Sequence, residues 1–205
     1  MRRITLAVCV AVVCLAGCQK APAPEASTET KEAALEKNAA AAAGTRTVPS
    51  ASETIKKPEA QAVDPRGEGP MDEAITCVAR TIYWEARGKS QVGMEAIANV
   101  VMNRLGHPGF PDTICGVVKQ GHEQGACQFS WWCDGKSDRA NDHESYEIAK
   151  DIARRALNLE LADRTGGALY FYQGKTARPG WSRKYIKTVE VAGFVFYKPG
   201  ENEAR

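Results

Sequence analysis

From residue 72 onward, apolar side chains recur with helical spacing. Ile75, Val78, Ala79, Ile82, Tyr83 and Ala86 fall at i, i+3, i+4, i+7, i+8 and i+11, which predicts an amphipathic helix with Asp72 placed to cap it and Gly88 to end it. A second helix is predicted from Ser90, with Ala96, Ile97, Val100, Val101 and Leu105 on its apolar side, broken by Gly106, Pro108 and Pro111. A helical turn follows over 113–119, then a Gly- and Cys-bearing loop or tight hairpin over 121–135. Asn141 or Asp142 caps a third main helix that gathers Tyr146, Ala149, Ile152, Ala153 and Ala156 on one side. After Gly166 and Gly167, residues 168–172 and 189–197 are short, aromatic and β-branched, and suit strands or extended edges. The pattern predicts a mainly α domain, of the α+β kind, with a small β element.

The N-terminal third reads differently. Arg2 and Arg3 precede an apolar stretch over 4–13 and the run Leu15-Ala16-Gly17-Cys18. That stretch is too short to span a bilayer and reads as an export signal over 1–18. Its last four residues resemble a bacterial lipobox, which implies that Cys18 is lipidated and anchors the chain to a membrane; an ordinary secretory signal cleaved nearby is the alternative. Gln19, where inner-membrane retention commonly uses aspartate, points to the outer membrane, facing the periplasm. Residues 19–70 hold no aromatic side chain and no sustained apolar face, so they are expected to form a disordered tether. About 50 such residues have a typical span of roughly 40 Å. The folded domain is expected over 71–198, with a flexible tail over 199–205.

Charge and cysteines narrow the classes. A net charge of +2, from 27 basic and 25 acidic side chains, is too balanced for nucleic acid as the main partner. Of seven cysteines, Cys9 and Cys14 leave with the signal and Cys18 carries lipid. Cys77, Cys115, Cys127 and Cys133 remain, the right parity for two disulfides in an oxidising compartment. Three pairings are open; Cys127 with Cys133 closes a short loop and is favoured, leaving Cys77 with Cys115. A zinc site is the competing reading, but no CxxC or HxxxH spacing accompanies these thiols. His107, His122 and His143 lie far apart in sequence and are expected on surfaces, so no metal and no cofactor are assigned.

Glu85 is the carboxylate placed for chemistry. At 100° per residue it projects within about 20° of Val78, at the margin of the apolar stripe. It also sits in the last helical turn, where the carbonyl end of the helix dipole disfavours negative charge. Both effects raise its pKa, as a general acid for a glycosidic oxygen requires. The plainer reading is a boundary glutamate paired with Arg80 or Arg87.

The run Ile82-Tyr83-Trp84-Glu85-Ala86-Arg87-Gly88, followed by Gly93-Met94-Glu95-Ala96-Ile97-Ala98-Asn99-Val100-Val101-Met102-Asn103-Arg104, resembles the signature of the SleB/CwlJ-type cell wall hydrolases. Phe110-Pro111, Cys127-Gln128-Phe129-Ser130-Trp131 and Gly167-Ala168-Leu169-Tyr170-Phe171-Tyr172 follow in that family's order. The resemblance implies a lysozyme-like fold related to lytic transglycosylases, acting on peptidoglycan at the β-1,4 bond between N-acetylmuramic acid and N-acetylglucosamine, with Glu85 as catalytic acid. A lytic transglycosylase manages with one carboxylate and leaves a 1,6-anhydromuramic end. The usual glycosidase employs two, and only Glu123 and Asp134, each read as a solvated loop charge, are candidates for the second; a hydrolase of the same class, in which water completes the reaction, is the alternative that product analysis separates.

Gln128, Ser130, Trp131, Tyr170 and Tyr172 supply the flat faces and polar groups that sugar binding uses. Core packing is the rival reading for Phe129, Trp131 and Trp132, and Trp181 fits either. Two positions depart from the family pattern: Lys89 stands where many members carry glutamate, and Val195 where they carry histidine. A non-catalytic peptidoglycan-binding envelope lipoprotein remains the alternative from another class.

Overall fold

A computed structural model describes residues 54–200. Its elements, in chain order, are α1 (Lys57–Ala62), α2 (Ala74–Ala86), α3 (Gln91–Arg104), α4 (Ile114–Lys119), α5 (His143–Leu157), β1 (Tyr170–Gln173), β2 (Ile186–Val191) and β3 (Phe194–Lys198). The helix-rich pattern with a small sheet matches the expected class.

α2 lies at the centre. Every residue from Ala74 to Tyr83 is buried, because α3, α4 and α5 close around it. Its start differs from expectation: the residue ahead of the first turn is Glu73, not Asp72, and no side chain caps it. Packing, not a cap, sets where this helix begins. Side-chain caps do precede two of the others, while Ser90 ahead of α3 makes none. Thr113 Oγ1 accepts from Gly116 N–H at 3.2 Å ahead of α4. Asp142 accepts from Ser145 N–H at 3.2 Å ahead of α5, whose predicted apolar side is buried. Cys77 of α2 is joined to Cys115 of α4, and Cys127 to Cys133, the favoured pairing.

The stretch 189–197, expected as one extended element, is a hairpin of β2 and β3. Ala192 and Gly193 turn it with φ of 51° and 80°, the left-handed pair that a tight two-residue connection needs. An alanine in that conformation is costly and gave the sequence no turn signal. The sheet is antiparallel throughout, in the order β1-β3-β2, with Phe171 opposite Phe196 and Tyr172 opposite Val195. The hairpin tip packs on α3 at Gly93, where a Cβ would stand 2.8 Å from that of Ala192.

The domain also starts earlier than residue 71. Ile55 is 4% exposed and Ala60 is buried under α5. Ile55 exchanges two backbone bonds with the Asn158 amide, at 3.0 and 2.9 Å, and the Lys150 ammonium donates to Gln61 O at 2.9 Å. Asp64 Oδ2 accepts from Arg80 at 3.1 and 2.7 Å and from the Tyr146 hydroxyl at 2.7 Å, while its Oδ1 accepts from Glu68 and Gly69 N–H. Burial opposes the Asp64 carboxylate, but bonds from Gly69, Tyr146 and Arg80 hold its pKa below the usual value. This segment is held mainly by polar anchors, which hydrophobic periodicity does not register. Residues 19–53 of the expected tether, the signal with Cys18, and residues 201–205 lie outside the described residues.

Breaking this anchor should be severe. Asp64→Ala leaves the Arg80 guanidinium, whose side chain is 2% exposed, without its counter-charge, and is expected to cost about 3 kcal/mol or more, read as a lowered urea midpoint.

Candidate active site

Glu85 sits in the last turn of α2, where the helix leaves the core: Tyr83 is buried, Trp84 and Glu85 are half-buried, and Arg87 is exposed. Burial pushes its pKa up to about 7, against the opposing pull of the Arg104 charge. The two arginines that could have neutralised it are engaged elsewhere. Arg80 pairs with Asp64. Arg87 donates to the Tyr83 hydroxyl at 2.9 Å and lies over the Tyr83 and Trp84 rings.

Arg104, the last residue of α3, is 2% exposed. Its Nε donates to Leu169 O at 2.8 Å. Its guanidinium lies 4.8, 5.2 and 5.9 Å from the ring centres of Phe129, Phe110 and Tyr170, and Nη1 is buried with no partner among the described residues. Burial lowers its pKa to about 10, with Tyr170 and Glu85 acting in the other direction. Stacking on aromatic faces suits a guanidinium deprived of water.

Arg104 therefore joins Glu85 to both predicted sugar-binding segments, through Phe129 of the 121–135 loop and Tyr170 of β1. Sequence reasoning gave it no role, although the signal was present: Arg104 falls three and four residues after Val101 and Val100, on the apolar stripe of α3.

The predicted site residues divide. Gln128 and Ser130 are exposed on either side of buried Phe129. Tyr170 and Tyr172 are half-buried and alternate along β1, so both point away from the side of Phe171. Trp131 does not belong with them. It is 6% exposed and packed in the core, folded inward by the turn Ser130–Cys133 that the Cys127–Cys133 bridge closes. Glu123 and Asp134 are both exposed. Asp134 is tied to Lys136, whose N–H bond lowers its pKa. Among the described residues no cluster of three or more His, Cys, Asp or Glu side chains could hold a metal.

A model of the cell wall hydrolase family matches residues 88–197. The chain belongs to the cell wall hydrolase family. The match begins three residues after Glu85, so α2 lies outside it. Among curated relatives, the spore cortex-lytic enzyme of Halalkalibacterium halodurans is 36% identical over 125 residues, 59% of this chain and 34% of the relative. That of Bacillus subtilis is 30% identical over 138 residues, 65% of this chain and 41% of the relative. The chain thus spans well under half the length of these relatives.

Among solved structures, the catalytic domain of the germination-specific lytic transglycosylase SleB from Bacillus anthracis superimposes with a TM-score of 0.51 at 28% identity, covering 61% of this chain and 93% of that one. The Bacillus cereus SleB catalytic domain gives 0.50 at 29%, covering 61% and 89%. The expected lysozyme-like, mainly helical fold is borne out. At the two departures from the family pattern, the Lys89 ammonium lies 5.2 Å from the Phe194 ring centre and Val195 is buried in β3.

A buried acid leaves a signature in stability. With an unfolded pKa near 4.5 and a folded one near 7, Glu85 favours folding below pH 4.5 relative to neutral pH; that advantage is lost as pH rises through 7. Glu85→Gln is expected to raise the melting temperature at pH 8 and to leave the difference small at pH 4. Arg104→Met removes the opposing charge and should move the Glu85 titration above 7, read by carboxyl NMR.

Proposed function

We propose that this cell wall hydrolase cleaves peptidoglycan glycan strands at the β-1,4 bond between N-acetylmuramic acid and N-acetylglucosamine, as a lytic transglycosylase with Glu85 as its one catalytic carboxylate. The observation that carries the reading is Glu85 itself: an acid held near pKa 7 by burial, at a helix end opening beside Arg104. Similarity to the catalytic domain of Bacillus anthracis SleB, described as a germination-specific lytic transglycosylase, supports the substrate class.

Protonated Glu85 gives its proton to the glycosidic oxygen as the bond from muramic C1 to that oxygen breaks, and positive charge develops on the muramic ring. The resulting carboxylate lies in the field of Arg104, then accepts the proton of the muramic C6 hydroxyl as O6 bonds to C1. Glu85 ends protonated, ready for another cycle, and no water is consumed. The exposed positions of Glu123 and Asp134 favour this over a two-carboxylate hydrolysis.

The lipobox at Cys18 and the segment that follows it support an outer-membrane anchor, with the domain working on the wall from the periplasmic side. The relatives' names refer to spore cortex; an exported, lipid-anchored chain fits the growing sacculus instead.

Digestion of purified sacculi with mass spectrometry of the released muropeptides tests the chemistry. Anhydromuramic ends are expected from the wild type, with kcat/KM falling as pH rises through about 7 and at least about 100-fold less product from Glu85→Gln. Reducing muramic ends would make the enzyme a hydrolase. No release by the folded wild type would end the reading.

A further inference from the structure

The loop from β1 to β2 holds a feature that the chemistry at Glu85 does not use. Trp181 is 36% exposed, one of the few large apolar side chains so placed among the described residues. It is not loosely held. The turn Gly180–Arg183 that carries it is pinned by Ser182, which is fully buried, donates to Pro179 O at 2.8 Å and accepts from Arg178 Nε at 2.9 Å.

Around Trp181 the rings form a continuous wall. Tyr170 and Tyr185 stack at 4.4 Å and 6°, and Trp181 lies 5.9 and 6.0 Å from them. Tyr170 in turn reaches the Arg104 guanidinium at 5.9 Å. The wall therefore runs outward from the charge that Glu85 senses. Pyranose rings present flat C–H faces that pack on such surfaces, and a rigid aromatic contributes area at little entropic cost.

The same loop is the most one-sidedly charged stretch of the domain. Residues 174–185 hold Lys175, Arg178, Arg183 and Lys184 and no acidic side chain, in a chain whose net charge is +2. Arg183 and Lys184, directly after the buried Ser182, are exposed and have no ion-pair partner among the described residues. Cations beside an aromatic face fit a sugar polymer that carries carboxylates, which peptidoglycan bears on its stem peptides.

We propose that Trp181 and Tyr185, with Arg183 and Lys184 beside them, form a strand-holding subsite that binds the glycan beyond the bond being cut and engages the carboxylates of its stem peptides. The inference rests on the wall-cleaving reading, but binding tests it separately from catalysis.

Co-sedimentation of the full-length chain with sacculi, in the Glu85→Gln background, reads binding without cleavage. Trp181→Ala is expected to weaken it about tenfold, and Trp181→Phe, which keeps a ring, to restore most of it. Arg183→Glu with Lys184→Glu should weaken binding to intact sacculi several-fold, more so at low salt, and should have a clearly smaller effect on glycan strands stripped of stem peptides by an amidase, whose remaining carboxylates are the muramic lactyl groups that the cleavage frees. A Trp181→Ala protein that melts like its parent and binds within twofold of it would overturn the subsite. An equal effect of the charge reversal on stripped strands would overturn the stem-peptide contact. If wild type cleaves nothing while Trp181→Ala still weakens binding, the catalytic reading fails and the subsite stands.

Discussion

A helix enclosed on every side has no solvated face on which to place a charge, so each polar group it carries must be answered from within the protein. α2 meets that condition from Ala74 to Tyr83. Thr81 answers its own hydroxyl by donating to Cys77 O at 2.9 Å. Arg80 cannot do so locally, and its guanidinium recruits Asp64, the Asp138 carbonyl and the face of Tyr146. The segment before α2 is thereby bound into the domain. Glu85 is the next charge along the helix and the first that the enclosure does not neutralise. The enclosure that stabilises the fold thus also delivers a half-buried carboxylic acid to its surface.

Two helix ends then set the poise of that acid. Burial pushes Glu85 toward its protonated form, useful for giving a proton and poor at taking one back. A salt bridge in direct contact would hold it as a carboxylate and spoil the first step. Arg104 avoids both extremes, because its cation is held by Leu169 O and three aromatic rings while its field still reaches Glu85. A pKa near neutrality leaves both protonation states accessible, which a single carboxylate serving as acid and then as base requires.

Much of this was legible in the sequence, and the failures share a cause. The three main helices were readable because each has an apolar stripe of helical period, and Glu85 was readable from its angle on the first. The segment 54–70 was not, since Ile55, Ala60 and half-buried Val63 carry its apolar contact and the rest is hydrogen bonding, to Arg80 16 positions on and to residues 82 to 103 positions away. The β2–β3 turn was hidden because Ala192 adopts a conformation that composition assigns to Gly or Asn. Trp131 was misplaced because an aromatic run beside a cysteine reads alike whether it faces sugar or core. Here the six-residue spacing of the bridge folds it inward. Arg104 was overlooked because a basic residue at a helix end is ordinarily a solvated cap of the dipole. Its burial follows from the stripe that it shares with Val100 and Val101.

The two departures from the family pattern gain sense from where they fall. Lys89 follows α2 in the short link to α3, and Val195 lies 106 positions later, yet the Lys89 ammonium rests over Phe194, the neighbour of Val195 on β3. Val195 is buried opposite Tyr172 on one side and Glu190 on the other. A glutamate at 89 would set an anion against the negative face of the Phe194 ring, where a cation is attracted. A histidine at 195 would bring a polar ring into register between Tyr172 and Glu190, where the valine packs without asking for a hydrogen bond. The two positions fall on opposite faces of β3: Phe194, under the Lys89 ammonium, faces the side of Phe171, and Val195 faces the side of Tyr172. The lysine therefore bears on the face of the hairpin turned to the core and the valine on the face that carries the tyrosines, while the Arg104 guanidinium rests on Phe110, Phe129 and Tyr170.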